Sequence, residues 1–235
     1  MKNFLKISRI LFVGFLVFLA NSVFAQLSMP GAGSSSVGLG GNAPAANSNI
    51  KEGVDYRVLP TAQPVETKGK VEVIEFFWYG CPHCFDFDPE LQAWVKKQNR
   101  DVVFKRVPIA FREDFLAHSQ IFYALESLGK EPAFTPKIFN AINVGHKQLT
   151  KEAEISDWMA SQGLDPKAFM AAYKSFSVVT KAKSANKIGE AFRIDGVPTI
   201  AIGGKYITSP SIAGTKARAL ETMDFLVTKA RKELR

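Results

Sequence analysis

The feature that most constrains the fold is a strand that runs straight into a helix, with two cysteines at the seam. Val71-Glu72-Val73-Ile74-Glu75-Phe76-Phe77-Trp78 is rich in β-branched and aromatic residues and reads as a strand. Cys84 to Lys97 carries Leu91, Trp94 and Val95 on one face and reads as a helix, kinked by Pro89 after its first turn. Asp101 to Val107 supplies a second strand through Val102, Val103, Phe104 and Val107. Strand, helix and strand in this order make a βαβ unit, whose strands pair in parallel. Tyr56 to Leu59 is a shorter strand candidate ahead of it.

After residue 107 the pattern becomes helix upon helix. Apolar residues at helical spacing predict helices over 116–128, 135–144, 152–162 and 178–192. Asp165-Pro166, a capping residue followed by proline, starts another through Tyr173. These apolar stripes are core-facing faces, not cofactor sites. Strands return at Thr199–Ile202 and Lys205–Thr208, and Gly203-Gly204 between them predicts a two-residue hairpin. A last helix covers about 216–232. The result is an α/β architecture: a mixed sheet with helices on its faces and an all-helical insertion.

Composition narrows the class. Hydrophobic residues make up 46% of the 235 and charged residues 22%, which excludes a disordered chain, a collagen-like fibre or a disulfide-dense miniprotein. The net charge of +8 is spread along the chain. Neither a dense basic run nor a recognisable module supports nucleic-acid binding.

The N-terminus reads as a secretion signal. Lys2, Lys6 and Arg9 precede or open an uncharged apolar run from Ile10 to Ala20, and Val23-Phe24-Ala25 resembles a cleavage site. The run is shorter than the ~20 residues of a spanning helix. A signal peptide over 1–25, cleaved after Ala25, is therefore expected, with an uncleaved anchor as the alternative. Residues 28–49 are uncharged and mostly Ser, Gly, Ala, Asn and Pro, so 26–50 is expected to be a disordered linker. The folded part divides into 51–111, a helical insertion over 112–185, and 186–235.

The chemistry rests on the only two cysteines, in Cys81-Pro82-His83-Cys84. A structural disulfide across so short a loop would stabilise very little. A closed zinc site needs four ligands, and beyond His83 only His118 and His146 remain as histidines. A redox-active dithiol fits better. Cys81 stands at a helix N-terminus, where free N–H groups and the helix dipole favour a thiolate. The dipole contributes about 0.3–1 kcal/mol, enough to lower a thiol pKa by roughly one unit. A stabilised thiolate makes Cys81 an exposed nucleophile and a good leaving group, with Cys84 the buried resolving thiol. Pro82 is tolerated because an early helical N–H is unpaired anyway.

Glu75-Phe-Phe-Trp-Tyr-Gly-Cys-Pro-His-Cys84 closely resembles the active-site segment of the DsbA family, periplasmic thiol:disulfide oxidoreductases with a thioredoxin fold. This family is itself a standard example of a low-pKa cysteine and a strongly oxidising disulfide. The resemblance extends over about Val54 to Arg235. It implies a thioredoxin-like fold with an inserted helical domain. It implies a cis Pro198 facing the dithiol, and a Val197 backbone that receives an extended substrate peptide. It also implies that Glu75 is a buried acid exchanging protons with Cys84. Burial should raise the pKa of Glu75, and either Lys105 or Arg106 is its cationic partner. Reduced, unfolded secreted proteins are the implied substrates, and a DsbB-type quinone-linked membrane oxidase the implied partner. No metal, flavin or nucleotide is implied, and the chain is expected to be a monomer. The rivals are an isomerase or reductase of the same fold, and a non-catalytic holdase that would work without Cys81.

Overall fold

The computed structural model describes residues 49–234. The signal peptide expected over 1–25 and all but the last two residues of the expected 26–50 linker lie outside the described residues.

The sheet has five strands in the order β1-β5-β4-β2-β3. They are β1 (Arg57–Val58), β2 (Val71–Phe77), β3 (Val102–Pro108), β4 (Thr199–Ile202) and β5 (Tyr206–Thr208). β2 pairs in parallel with β3 and antiparallel with β4, and the other pairings are antiparallel. Every residue of β2 is buried, Glu72 and Glu75 included. Alternation sends Val71 and Val73 to one face and Ile74 and Phe76 to the other.

The first face is covered by α1 (Pro82–Lys96) and α8 (Lys216–Glu233), through Phe87, Leu91, Met223 and Leu226. The second meets the helices between β3 and β4: α2 (Leu116–Ser127), α3 (Glu131–Asn143), α4 (Glu152–Ser161), α5 (Pro166–Tyr173) and α6 (Phe176–Ala191). Their Ile121, Leu125, Ile138, Phe139, Ile155 and Phe169 are buried in one cluster with Ile74 and Phe76. Each such side chain contributes roughly 1.5–3 kcal/mol on burial. α6 packs on both α2 and β3, and residue 185, the expected end of the insertion, falls inside it.

Three elements depart from the sequence reading. α3 begins four residues early, because Pro132 occupies its first turn, where a missing N–H costs nothing. A short α7 (Pro210–Ala213) follows β5, capped by Ser209 Oγ on the Ile212 N–H at 3.0 Å. One turn of helix carries no readable periodicity. The β4–β5 loop holds three residues, because Ile202 pairs with Tyr206. α1 continues through Pro89 to Lys96.

Gly204 in that loop is doubly constrained. Its φ is +67°, and a Cβ there would lie 2.2 Å from the Gln63 carbonyl oxygen. Gln63 N–H in turn donates to the Gly204 carbonyl at 2.7 Å. Gly204→Ala should therefore destabilise the fold by about 1–3 kcal/mol. Urea unfolding at neutral pH measures this; a change within 0.5 kcal/mol, about the level of a neutral surface substitution, would refute it.

Candidate active site

β2 delivers the chain to a tight turn, Trp78–Cys81, closed by the Cys81 N–H donating to the Trp78 carbonyl at 3.0 Å. Helix α1 begins immediately afterwards. Cys81 is its N-cap, with φ −86° and ψ 115°, and makes no side-chain capping bond of the usual oxygen type. Pro82 takes the first helical position and has no N–H to give. The next two amides, of His83 and Cys84, donate to the Cys81 sulfur.

These contacts split the two thiols apart. The Cys84 thiol hydrogen-bonds to the Cys81 sulfur and lowers its pKa most. Burial opposes this. The Cys84 and His83 amides and the charge of His83 add to the lowering, and Cys81 falls to about 6. Cys84 moves the other way, far above the ordinary thiol range. Burial is the main cause, followed by its role as donor to Cys81 and by the negative charge of Glu75. The Trp78 N–H, which donates to the Cys84 sulfur, only partly offsets that rise.

Both thiols are free in this structure. Cys84 has no exposed surface, and Cys81 is only 7% exposed. The expectation of an exposed Cys81 is thus corrected: the residue is almost wholly buried, with the 197–198 segment against its sulfur. Cys81 Sγ donates to the Val197 carbonyl at 3.4 Å, and the Val197–Pro198 peptide bond is cis. Pro198 is buried and Val197 half-buried, while Pro82 and His83 stand exposed beside the sulfur. Of the surrounding aromatic residues, Tyr79 and Phe87 are wholly buried, and Trp78 and Phe85 are half-buried.

Beneath the dithiol lies a buried charge cluster. Glu75 has no exposed surface, as expected of a buried acid. Its partner is Arg106, directly opposite in the β2–β3 register, with Nε 2.7 Å from Oε2. Lys105 faces the other way and pairs with Glu72 at 2.7 Å and Glu66 at 2.6 Å. Arg106 also binds Asp88 of α1 and, at 3.3 Å, Glu131 of α3. Burial raises the pKa of Glu75; Arg106 pulls it back, and Asp88 and Glu131 push it up further. Glu75 Oε1 has no hydrogen-bond partner in the protein. Thr135 Oγ1 donates to Glu131 at 2.7 Å and bonds the Tyr79 hydroxyl at 3.0 Å, so the cluster reaches back to the active-site turn.

The structure thus brings Cys81, Cys84, His83, Pro82, Val197 and Pro198 together, with Glu75 below them. Sequence reading missed Asp88, Glu131 and Thr135. Asp88 had a signal, since it interrupts the stripe Cys84, Phe87 and Leu91 on α1. Glu131 and Thr135 had none, because only the packing of α3 carries them to the site.

A mixed sheet of this order, a dithiol at the start of α1 and a cis proline against it define a thioredoxin-fold protein of dithiol–disulfide chemistry. The comparisons give the family. Residues 72–223 match the DSBA-like thioredoxin domain. The chain is 49% identical over 195 residues to the thiol:disulfide interchange protein DsbA of Burkholderia cepacia, spanning 81% of this chain and 89% of that one. It is 40% identical over 201 residues to the protein of that name from Azotobacter vinelandii, covering 85% and 94%. The crystal structure of Pseudomonas aeruginosa DsbA superposes with a TM-score of 0.76 at 36% identity, over 80% of this chain and 97% of that one. The chain belongs to the DsbA family, and it is a thiol:disulfide oxidoreductase.

Arg106→Met would leave Glu75 and Asp88 buried without their cation. The expected loss is about 3–5 kcal/mol of stability at pH 7. It should shrink toward pH 5 as the orphaned Glu75, whose pKa burial already raises, takes up a proton. Urea unfolding at both pH values checks this, and an equal loss at each would contradict it.

Proposed function

We propose that the protein is a periplasmic disulfide donor to reduced, newly secreted proteins, with Cys81 as its attacked sulfur. The observation that carries this reading is the split between the thiols, Cys81 at about 6 and Cys84 far above.

In the oxidised enzyme a substrate thiolate attacks Cys81 Sγ. The Cys81–Cys84 bond breaks, a mixed disulfide forms, and Cys84 leaves with the electron pair and takes a proton. Glu75, whose pKa is raised by burial and whose charge acts on Cys84, is the proposed proton donor. A second substrate thiolate then attacks the substrate sulfur of the mixed disulfide, and Cys81 leaves as a thiolate. Two electrons pass from the substrate dithiol to the enzyme. Of the two substrate protons, one restores Glu75 after it has protonated Cys84, and the other stays in solvent. Stabilising the Cys81 thiolate favours the reduced enzyme, which makes its disulfide oxidising. Pro82 serves this by leaving only the second and third amides of α1 to meet the sulfur. His83 adds positive charge beside it. Val197 and Pro198 offer backbone to an extended substrate segment by strand addition.

The remaining assignments rest on the sequence pattern and, for the oxidase, on the family resemblance. Residues 1–25 act as the signal peptide, cleaved after Ala25, and 26–50 as a linker. Residues 51–111 and 186–235 form the thioredoxin-like domain around a helical insertion over 112–185. The protein works as a monomer, and a DsbB-type quinone-linked membrane oxidase restores its disulfide.

Absorbance of the reduced protein at 240 nm should titrate with a midpoint near pH 6. Because the folded pKa is depressed, the thiolate's contribution to the stability of the reduced form is complete above the unfolded thiol value of about 8.5. It is lost as pH falls through about 6. The reduced protein should therefore lose its stability advantage over the oxidised one across that window. Equilibration with glutathione should give a strongly oxidising potential, and Cys81→Ser should abolish oxidation of a reduced substrate protein. A thioredoxin-like potential with a midpoint above pH 8 would overturn the donor reading.

A further inference from the structure

His118 lies on α2, outside the cysteine motif, and is 3% exposed. Both of its ring nitrogens are used. Trp78 Nε1–H donates to His118 Nδ1 at 2.9 Å, and His118 Nε2 lies 2.8 Å from the Gln148 carbonyl oxygen. An indole nitrogen only donates and a carbonyl only accepts, so the ring is neutral with its proton on Nε2. Desolvation favours that neutral form by lowering the pKa of His118. The Gln148 carbonyl and the charges of Asp114 and Glu154 act in the opposite sense. Phe115 closes the site, its ring centroid 4.2 Å from that of Trp78 and stacked on His118 at 6.1 Å.

What the indole holds is the backbone that both cysteines use. The Trp78 carbonyl accepts from the Cys81 N–H, and the Trp78 N–H donates to the Cys84 sulfur. The indole also lies over its own turn: a Cβ on Gly80 would come within 2.3 Å of Trp78 Cζ2. Rotation of the indole therefore moves the turn that sets the two sulfurs relative to the start of α1.

We infer that His118 is a positioning residue for the dithiol: by accepting the Trp78 indole N–H it holds the main chain to which Cys81 and Cys84 are bonded. It touches neither sulfur. Its ties to α2 and to Gln148 make the helical block a support of the redox centre as well as a cover for the sheet. The inference rests on the reading of Cys81 and Cys84 as the working pair.

The test separates the two ring nitrogens. In His118→Asn the amide oxygen occupies the branch position of Nδ1 and keeps an acceptor for Trp78. In His118→Gln the polar group occupies the position of Nε2 and keeps only the Gln148 side. The full-length protein of each is titrated at 240 nm and equilibrated with glutathione. His118→Gln and Trp78→Phe should each raise the Cys81 pKa by about half a unit or more. Each should also shift the glutathione equilibrium about threefold or more toward the protein disulfide. His118→Asn should stay within about twofold of the parent. Combining Trp78→Phe with His118→Gln should add little, since both remove one interaction.

Both variants of His118 retain a polar side chain, and near-UV circular dichroism confirms that each is folded before titration. If His118→Gln matches the parent, or if His118→Asn shifts as far as His118→Gln, the positioning role is overturned. If the parent protein itself shows an ordinary thiol pKa, the dithiol reading fails and this inference with it.

Discussion

One guanidinium holds the centre of this molecule. Arg106 sits on β3 opposite Glu75 of β2, and it also binds Asp88 of α1 and Glu131 of α3. Four elements thus converge on one buried cation. An isolated buried charge costs several kcal/mol, so each contact is nearly obligatory. A one-residue slip of β3 would bring Lys105 or Val107 opposite Glu75 and turn Arg106 to the other face, away from Glu75 and Asp88. Rotation of α1 would withdraw Asp88. The cluster gains little stability over a well-packed apolar core, and its effect is to make one register and one helix setting far better than their neighbours.

The same arrangement explains the asymmetry of the two thiols. Cys81 and Cys84 are separated by one turn of α1, yet they meet opposite surroundings. Cys81 caps the helix and receives amides that no helical carbonyl claims. Cys84 lies one turn deeper, where the carboxylate side of the charge cluster faces it and no solvent reaches. Burial acts on both sulfurs, but only Cys81 has enough donors to overcome it. The redox character therefore comes from position along one helix more than from any difference between the residues themselves.

Much of this was legible in the chain. The strand expected over Val71–Trp78, the cysteine motif and the helical run after β3 are strong local patterns; the strand forms over Val71–Phe77, and the helices follow in the expected order with α3 starting four residues early. The pair Val197-Pro198 was legible only through family resemblance, since a proline before a strand reads alone as an ordinary edge residue. The choice between Lys105 and Arg106 was open because adjacent strand residues point to opposite faces, and their phase relative to β2 depends on a register no local pattern encodes. The burial of Cys81 was missed for a related reason. Local sequence marks a helix start, but the segment that covers it arrives from more than a hundred residues away. His118 stood on the apolar stripe of α2 with Ile121, Phe122 and Leu125, a histidine where a hydrophobic residue was due. Its partner in the active-site turn is forty residues earlier and invisible to periodicity.

The helical block does more than bury the far face of the sheet. It sends Glu131 and Thr135 to the charge cluster and the Tyr79 hydroxyl, and Asn143 Nδ2 to the Tyr79 carbonyl at 2.9 Å. Each contact is a directed hydrogen bond to the segment between β2 and α1 or to the cluster below it. Apolar packing alone would tolerate small shifts of these helices at little cost. Directed bonds in a dry site do not, because a donor or acceptor left without a partner there costs about 1–3 kcal/mol. The polar contacts therefore tie the conformation of the cysteine turn to the docking of α3. Changes deep in the insertion reach the sulfurs through bonds that must be kept or broken, and the thioredoxin-like sheet and its helical block behave toward the active site as one unit.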